Sequence, residues 1–528
     1  MFPMQSHGRA LHRAVGLVLA LLPVLAFSQQ LSSTSLDLAD LAPDSWRFAG
    51  HDLHNTRNAA GEWFISPLTA PHLRPKWVFT AEGDVSATPA VTPLALYFPD
   101  WGGWLHKVNA LTGQRIWSRR ISEYTGIPGS RSRNTPALVD GKLYLGTLNG
   151  DFLAVDAQTG NLLWKVHPDS HPAAVITQSP IVQGDRVYVG IASYEESFAA
   201  DPSYPCCTFR GNVVALDRAT GAVVWRTFVM PEGYAGGGVW GSTLTFDKAR
   251  NSLYVTTGNN SYVPPAVREC LVNAPDDETA AACIAPDDYF DAMLSLDAST
   301  GAIKWGRKLY PQDVFILTCL IRPEDCPPPG GPDYDFGQGA ILYRVPTPDG
   351  HSRQLLGAGQ KSGIYWALDP DTGATVWNTR VGPGGVGGGM MWGSAMADGR
   401  IFAANVNYDR LPYTLPNGQT SSWGNFTAMN AATGQILWQT PDPVPGAQDV
   451  APVSTANGVV FGCSIESLGH MYAMDARTGA VLWTFVSGGS CNSGAAIANG
   501  TVYWGSGYSN FGVGTPNNKL YAFSPWGL

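Results

Sequence analysis

Short apolar runs recur along the whole chain, and their length and spacing predict β-strands rather than helices. A typical run is Phe152-Leu153-Ala154-Val155, which leads into an Asp, two variable residues, Thr-Gly, three residues and a Trp. A second short strand ends at that Trp. The complete unit, beginning with Asp or Asn, occurs seven times, at residues 109–117, 156–164, 217–225, 297–305, 369–377, 430–438 and 475–483.

Each Asp-x-x-Thr-Gly segment is predicted to be a turn, because Asp or Asn accepts a backbone hydrogen bond and Gly supplies a positive φ. About four short antiparallel strands in each unit are typical of a propeller blade. Trp77 fits the last position of an eighth unit, whose inner strands can come from residues 495–523. The sequence therefore predicts an all-β, eight-bladed β-propeller. Its tryptophans are expected to pack between blades, and the two chain ends to share one blade.

Composition supports a folded protein with many short strands and excludes two function classes. The chain has 528 residues with 60 Gly, 39 Pro and 18 Trp, and its hydrophobic fraction is 44% against 14% charged residues. Disordered chains have the opposite balance. The net charge of −9 argues against a nucleic-acid binder, which needs a basic surface for phosphate contacts.

The first residues predict an export signal. Arg9 and Arg13 precede an apolar run of residues 14–27, which is shorter than the ~20 residues of a membrane-spanning helix. Residues 1–28 are expected to be a cleaved signal peptide, with an uncleaved anchor as the alternative. Residues 29–528 form one propeller domain in this interpretation, without a membrane span and in a periplasmic or secreted location.

Eight cysteines in an exported chain indicate disulfide bonds. Spacing suggests the pairs 206–207, 270–283, 319–326 and 463–491. Adjacent Cys206 and Cys207 could also pair elsewhere, although the other six can all be paired locally. No Cys-x-x-Cys-His occurs, so no covalently attached haem is expected. Two insertions that carry cysteines, residues 263–288 and 317–332, are expected to form walls of a central site.

The blade repeat resembles that of the alcohol dehydrogenases that depend on pyrroloquinoline quinone (PQQ), and the chain looks most like their polyvinyl alcohol dehydrogenase branch. The resemblance runs from about residue 44 to residue 528. Four segments carry it: residues 46–53 (WRFAGHDL), 206–211 (CCTFRG), 331–339 (GPDYDFGQG) and 359–369 (GQKSGIYWALD).

The resemblance implies that PQQ lies over the central channel beside Ca²⁺ or a lanthanide. Glu195 and Asn259 match the family's cation ligands, although Glu196 could be the true match. Asp333 falls on the catalytic carboxylate and is also expected to be a ligand of the cation. Asp335 falls where lanthanide-dependent members have an extra ligand. The insertion of residues 317–332 separates Asp313 from Asp333, so Asp313 is the alternative candidate for the base.

The PQQ contacts follow from the same comparison. Trp240 matches the tryptophan that stacks on the ring, and Cys206-Cys207 matches a vicinal disulfide that covers the other face, although here it lies in a different blade's loop. The basic and hydroxyl contacts fall on Lys361, Thr177 and Arg133. One position departs from the family, because Ser86 stands where a PQQ-contacting glutamate is expected.

The functional hypothesis is an exported quinoprotein dehydrogenase. It would oxidise a secondary alcohol, a polyol or a substrate like polyvinyl alcohol, and pass electrons to an external cytochrome c or another acceptor. The alternative hypothesis is a non-catalytic propeller scaffold that binds protein or glycan.

Overall fold

A computed structural model describes residues 45–528, so the predicted signal peptide lies outside the described residues. Eight antiparallel sheets confirm the predicted eight-bladed propeller. The strands of blades 1 to 4 are Ala90–Val91, Ala95–Pro99, Trp104–Asn109 and Arg115–Arg120; Ala137–Val139, Lys142–Gly146, Phe152–Asp156 and Leu162–Val166; Ile181–Gln183, Arg186–Ser193, Asn212–Asp217 and Val223–Phe228; and Thr245–Asp247, Ser252–Thr256, Ala292–Asp297 and Ile303–Lys308.

The second half of the ring repeats this order. The strands of blades 5 to 8 are Ile341–Pro346, Ser352–Gly359, Ile364–Leu368 and Thr375–Arg380; Ala395–Ala397, Arg400–Asn405, Asn425–Asn430 and Ile436–Pro441; Ser454–Ala456, Val459–Cys463, His470–Asp475 and Val481–Val486; and Ala496–Ala498, Thr501–Gly505, Lys519–Pro525 and Leu73–Thr80. Short accessory strands are Asn58–Ala59, Ala174–Val175, Ala235–Gly236, Asn260–Tyr262, Tyr413–Thr414 and Thr420–Ser421.

Helices are few and short. The α-helices are Ile121–Thr125, Glu195–Phe198, Pro265–Asn273, Asp277–Cys283 and Thr318–Ile321, and the 3₁₀ turns are Ala70–His72, Pro323–Asp325 and Asn510–Gly512. None of the helices in residues 45–528 has the length and apolar character needed to cross a membrane.

The two ends of the chain close the ring, as predicted. Strand Leu73–Thr80 pairs with Lys519–Pro525 and becomes the outermost strand of blade 8. Trp77 thereby takes the same position as the repeat tryptophans of the other seven blades. Because this pairing joins residues that lie more than four hundred positions apart in sequence, it ties the ends of the chain together and leaves the ring without a free edge between its first and last blades.

The eight repeat tryptophans join neighbouring blades through one repeated contact. Each indole Nε1 donates to a backbone carbonyl of the next blade, over 3.0–3.2 Å. In seven cases the acceptor is the residue that follows the Asp or Asn of the turn, and Trp483 reaches Leu73 O of blade 8. The prediction that these tryptophans pack between blades is confirmed.

The turn glycine is required by the same contact, and Gly434 illustrates it. Its φ is +76°, and an added Cβ would lie 2.5 Å from Cε3 of Trp377. We expect Gly434→Ala to lower the free energy of unfolding by about 1–3 kcal/mol, measured by urea denaturation. Gly399→Ala is the matched control, because Gly399 has φ +70° with open space around its Cβ position. Equal losses in both variants would mean that the contact with Trp377 adds nothing.

All four predicted disulfides are present: Cys206–Cys207, Cys270–Cys283, Cys319–Cys326 and Cys463–Cys491. The second joins the helices Pro265–Asn273 and Asp277–Cys283 of the first insertion, and the third joins helix Thr318–Ile321 of the second insertion to Cys326. The fourth joins blade 7 to the segment that leads into blade 8.

The chain segment before blade 8 runs around the inside of the ring; we call residues 46–62 the floor segment. Its backbone is hydrogen-bonded to the innermost strands of blades 1, 2, 4, 5, 6 and 7. The carboxylate of Glu62 accepts from the backbone of Gly500 in blade 8. The floor segment therefore lies inside the channel, against the innermost strands of most of the blades.

Candidate active site

The predicted site residues come from two sets of loops at the same end of the ring. Glu196, Asn259 and Lys361 follow the second strands of blades 3, 4 and 5. The other set precedes the innermost strands of blades 2 to 5 and supplies Arg133, Thr177, Trp240 and Asp335. These seven residues line one cavity of about 860 Å³, which we call the cofactor cavity. The propeller geometry thus gathers residues spread over more than two hundred positions.

A buried ammonium lies among the carboxylates of this site. Nζ of Lys361 is 2.9 Å from both carboxylate oxygens of Asp333 and 2.8 Å from Oδ1 of Asp335. Burial alone would lower the pKa of Lys361, but these two carboxylates raise it above its usual value. Burial also raises the pKa of Glu196 to about 7, against the opposing effect of Lys361. Three carboxyl groups therefore share one positive charge, an arrangement that favours a further cation.

Asp335 fixes the orientation of the tryptophan predicted to stack on the cofactor ring. Its Oδ2 accepts from Nε1 of Trp240 over 2.6 Å, while the Thr177 hydroxyl donates to the backbone carbonyl of Trp240 over 3.3 Å. The Trp392 ring meets Trp240 edge-on, with 5.3 Å between ring centroids. The indole is consequently held in one orientation at the cavity wall, as a stacking surface requires.

Asn259 is positioned so that its oxygen is left for a ligand. Its Nδ2 donates to the backbone carbonyls of Asn260 and Phe315, over 3.0 and 2.9 Å. Because both amide protons are used, Oδ1 is the remaining polar group of this buried side chain. An amide oxygen beside carboxylates matches the ligand preference of Ca²⁺ and similar hard cations.

The two adjacent glutamates have different positions, and this corrects the placement of Glu195. The Glu195 carboxylate accepts from the backbone N–H groups of Thr208 and Phe209 and from the hydroxyl of Tyr204. It therefore holds the loop that follows the vicinal disulfide and does not line the cofactor cavity. Glu196 lines that cavity instead. The sequence left both residues open, and the structure brings only Glu196 to the other site residues.

The Cys206–Cys207 disulfide also lies behind the cavity wall. The two cysteines pack against Ala199, Ala235 and Ile316, whereas Phe209, two residues further on, lines the cavity. The expectation that this disulfide covers the cofactor ring is therefore not met by its position. Together with Glu195 it shapes the loop that presents Phe209.

Asp313 and Asp333, the two alternatives for the base, also have distinct positions. The buried Asp313 carboxylate accepts from the backbone N–H groups of Asp333 and Tyr334, over 3.2 and 2.6 Å. It stabilises a backbone in which Asp333 has φ +60°. Asp333 lines a second cavity of about 1030 Å³, the entrance cavity, which also contains Glu196, Trp392 and Leu317. Asp333 thus faces the open space and Asp313 supports it.

The entrance cavity has a mostly apolar wall. Leu317 and Leu320 of the second insertion contribute to it, as expected, whereas the first insertion, residues 263–288, supplies no residue to this cavity or to the cofactor cavity. Trp392 and Tyr508 also line it, and the sequence interpretation assigned neither of them a role. The available signal for Trp392 was that it lies outside the Thr-Gly-x-x-x-Trp repeat, as Trp240 does. A tryptophan without a docking position is free to line a site.

Comparison with known proteins agrees with this geometry. A family model described as outer membrane protein assembly factor BamB matches residues 68–201 and 360–525. A polyvinylalcohol dehydrogenase of Sphingopyxis sp. (strain 113P3) is 31% identical over 515 residues, covering 86% of this chain and 72% of the relative. A second polyvinylalcohol dehydrogenase, of Pseudomonas sp., is 28% identical over 531 residues, covering 91% of this chain and 77% of the relative.

The fold agrees with a solved quinohemoprotein alcohol dehydrogenase of Comamonas testosteroni, with a TM-score of 0.69 and 21% identity, covering 92% of this chain and 81% of that structure. The fold and the site define a propeller oxidoreductase of the quinoprotein class. Specifically, the chain belongs to the family of PQQ-dependent alcohol dehydrogenases that includes the polyvinyl alcohol dehydrogenases.

The residues present fit the cofactor and the metal ion that this family implies. An oriented indole and a hydroxyl at Thr177 line the cofactor cavity, together with the cations of Arg133 and Lys361. These groups suit a flat, anionic quinone. Glu196, Asn259 and Asp335 offer oxygens to a hard cation, and the excess of carboxylates over ammonium groups supplies the charge that such a cation would neutralise.

Proposed function

We propose that this enzyme oxidises secondary hydroxyl groups of a polyol or of a polymer such as polyvinyl alcohol, and that it works in the periplasm or outside the cell. PQQ and Ca²⁺ or a lanthanide are the proposed cofactors, and the electrons pass to an external cytochrome c or another acceptor. The names of the two relatives reported above, both polyvinylalcohol dehydrogenases, support the polymer substrate.

The single observation that carries the proposal is the position of Asp333 between the two cavities. Its carboxylate is bound to Lys361, whose Nζ lies 5.3 Å from the Trp240 ring centroid at the wall of the cofactor cavity. Its own side chain lines the entrance cavity. A hydroxyl that enters there meets a carboxylate able to accept its proton.

Each residue has a definable part in this reaction. Asp333 accepts the hydroxyl proton. Lys361 holds that carboxylate in place and opposes the rise in its pKa that burial causes. Asp335 orients Trp240, while Glu196 and Asn259 would hold the cation. When bound, PQQ supplies the acceptor for the hydride, and the cation makes it more electrophilic. Leu317 and Leu320 form part of the apolar wall of the cavity that Asp333 also lines.

The shape of the entrance supports an extended substrate. A groove of about 1130 Å³ lies beside the entrance cavity and is lined by Tyr334, Pro412 and Pro416. The loop of residues 381–389 contributes to both spaces. Mixed apolar and polar walls suit a chain of alternating methylene and hydroxyl-bearing carbons, and such a chain could occupy the groove while one hydroxyl reaches Asp333.

Reconstitution tests the proposed function directly. Purified protein is mixed with PQQ and with Ca²⁺ or La³⁺, and alcohol oxidation is followed with an artificial electron acceptor. We expect turnover of polyvinyl alcohol and of 2,4-pentanediol only when both PQQ and a cation are present. PQQ binding without oxidation of any secondary alcohol would contradict the proposed substrate class, and absence of PQQ binding would contradict the whole proposal.

Because Glu195 and Glu196 occupy different positions, their substitution is expected to have different effects. Glu196→Gln should weaken cation affinity, because it removes a carboxylate from the cavity. Loss of a supporting group at a metal site costs about 10–100-fold in affinity, and we expect an effect at least this large. Glu195→Gln is the matched control and should leave cation affinity nearly unchanged while lowering thermal stability. Cation titration of PQQ-loaded protein measures the first effect and calorimetry the second. The opposite pattern would return the ligand role to Glu195.

A further inference from the structure

A third cavity lies between the cofactor cavity and the floor segment. It measures about 490 Å³, and we call it the floor chamber. Arg57 of the floor segment lines it, together with Ser86, Trp392 and Asn492. Arg133 and Thr177 line both the floor chamber and the cofactor cavity, so the two spaces adjoin.

Arg57 is a buried cation without a counter-ion. Its side chain is 2% exposed, and Nη2 donates to the backbone carbonyl of Trp392 over 3.2 Å. Nε and Nη1 are buried and have no hydrogen-bond partner among the described residues. Burial lowers the pKa of Arg57 to about 10, which still leaves it charged at neutral pH. A guanidinium in this state is destabilising until an acceptor reaches it.

The rest of the chamber reinforces this charge. Arg133 lies over the Trp392 ring, 4.8 Å from its centroid. The indole Nε1 of Trp392 is a third buried donor without a partner, against one unpaired acceptor, Oδ1 of Asn492. No carboxylate lines the chamber, and within residues 45–528 none forms an ion pair with Arg57 or Arg133. Ser86 occupies the position where the family resemblance implies a glutamate, so no acid neutralises the two arginines there.

We propose that the floor chamber is an anion subsite that takes a carboxylate group of PQQ, with Arg57 as its principal cation. A carboxylate presents oxygens to the forked donors of a guanidinium, and such pairs are among the stronger hydrogen bonds in proteins. PQQ carries three carboxylates, and the chamber adjoins the cavity proposed to hold its ring. The inference rests on the proposed function for the identity of the ligand.

The substitution Arg57→Met separates this role from a structural one. Methionine has a similar length without charge, so removal of an unpaired buried cation should leave the thermal midpoint of the PQQ-free protein unchanged or higher. The dissociation constant for PQQ, measured by quenching of tryptophan fluorescence, should rise about 10- to 100-fold. Arg57→Lys should retain part of the affinity. Arg400→Met, a partly buried arginine outside the three cavities, is the control and should change neither measurement.

The opposite result would overturn the proposal. If Arg57→Met lowers the midpoint of the PQQ-free protein and leaves the PQQ dissociation constant unchanged, Arg57 is a structural residue of the floor segment.

A second arm uses acetate and chloride with the PQQ-free protein and does not depend on the proposed function. Either anion should raise the midpoint of the unaltered protein but not that of Arg57→Met. If this difference is seen but PQQ does not bind at all, the anion subsite stands and the proposed function fails. If the anions shift both proteins equally, the subsite is refuted.

Discussion

Asp333→Asn is expected to lower turnover about 10²–10⁴-fold, the usual range for loss of a general base. Asparagine keeps the size of the side chain and tolerates the positive φ of this position. It can still accept from Lys361 but cannot take the hydroxyl proton. PQQ affinity should change little, because Trp240, Thr177 and Arg133 are unaltered. Dye-coupled kinetics of the reconstituted enzyme measure kcat, and fluorescence titration measures PQQ binding.

Two controls make this result specific. Asp325→Asn replaces an exposed aspartate of the neighbouring insertion, which forms an ion pair with Arg322, and should leave kcat unchanged. Asp313→Asn should lower kcat less than Asp333→Asn does, because Asp313 acts through the backbone of Asp333. Full activity of Asp333→Asn together with an inactive Asp313→Asn would assign the base to Asp313.

Lys361→Met is expected to lower the free energy of unfolding of the cofactor-free protein by about 3–5 kcal/mol, the usual effect of removing one partner of a buried ion pair. Lys361 is 7% exposed, and its ammonium group contacts the carboxylates of both Asp333 and Asp335. Without it, three acidic groups are left close together. Urea denaturation of the unaltered protein and the variant measures the loss.

Added Ca²⁺ should restore part of this stability, because it would neutralise the same carboxylates. Lys304→Met is the control: Lys304 is partly exposed, 3.5 Å from Asp297, and its loss should cost no more than about 1 kcal/mol. A Lys361→Met variant as stable as the control would show that the acidic groups are adequately solvated or protonated without the ammonium.

The ring could be predicted from the sequence because its contacts repeat. The Thr-Gly turn and the Trp are two halves of one contact between blades, so seven copies predict seven equivalent junctions. Trp77 could be added because it carries the second half alone. The floor segment has no repeat of its own, and its path across six innermost strands follows from backbone hydrogen bonds that impose little restriction on sequence.

The site was predictable where a residue's place in the chain determines the direction of its side chain. Trp240, Asn259 and Lys361 lie in short loops between strands, and all three line the cofactor cavity. Glu195 and Glu196 begin a four-residue helix, where successive side chains point in different directions and sequence spacing alone could not distinguish them. The role of Arg57 could not be predicted from the sequence, because it depends on the lack of a carboxylate beside its guanidinium among the described residues. That property is visible only in the folded protein.

For the polymer substrate that we propose, the floor segment also limits the path of approach. Because this segment occupies the channel, a polymer cannot pass through the ring from one side to the other. A long polymer must instead lie across the entrance cavity and present one hydroxyl-bearing carbon at a time to Asp333. Such an enzyme would oxidise hydroxyls in the middle of the polymer as readily as those near its ends. Each oxidised unit would leave the site by the same route through which it entered.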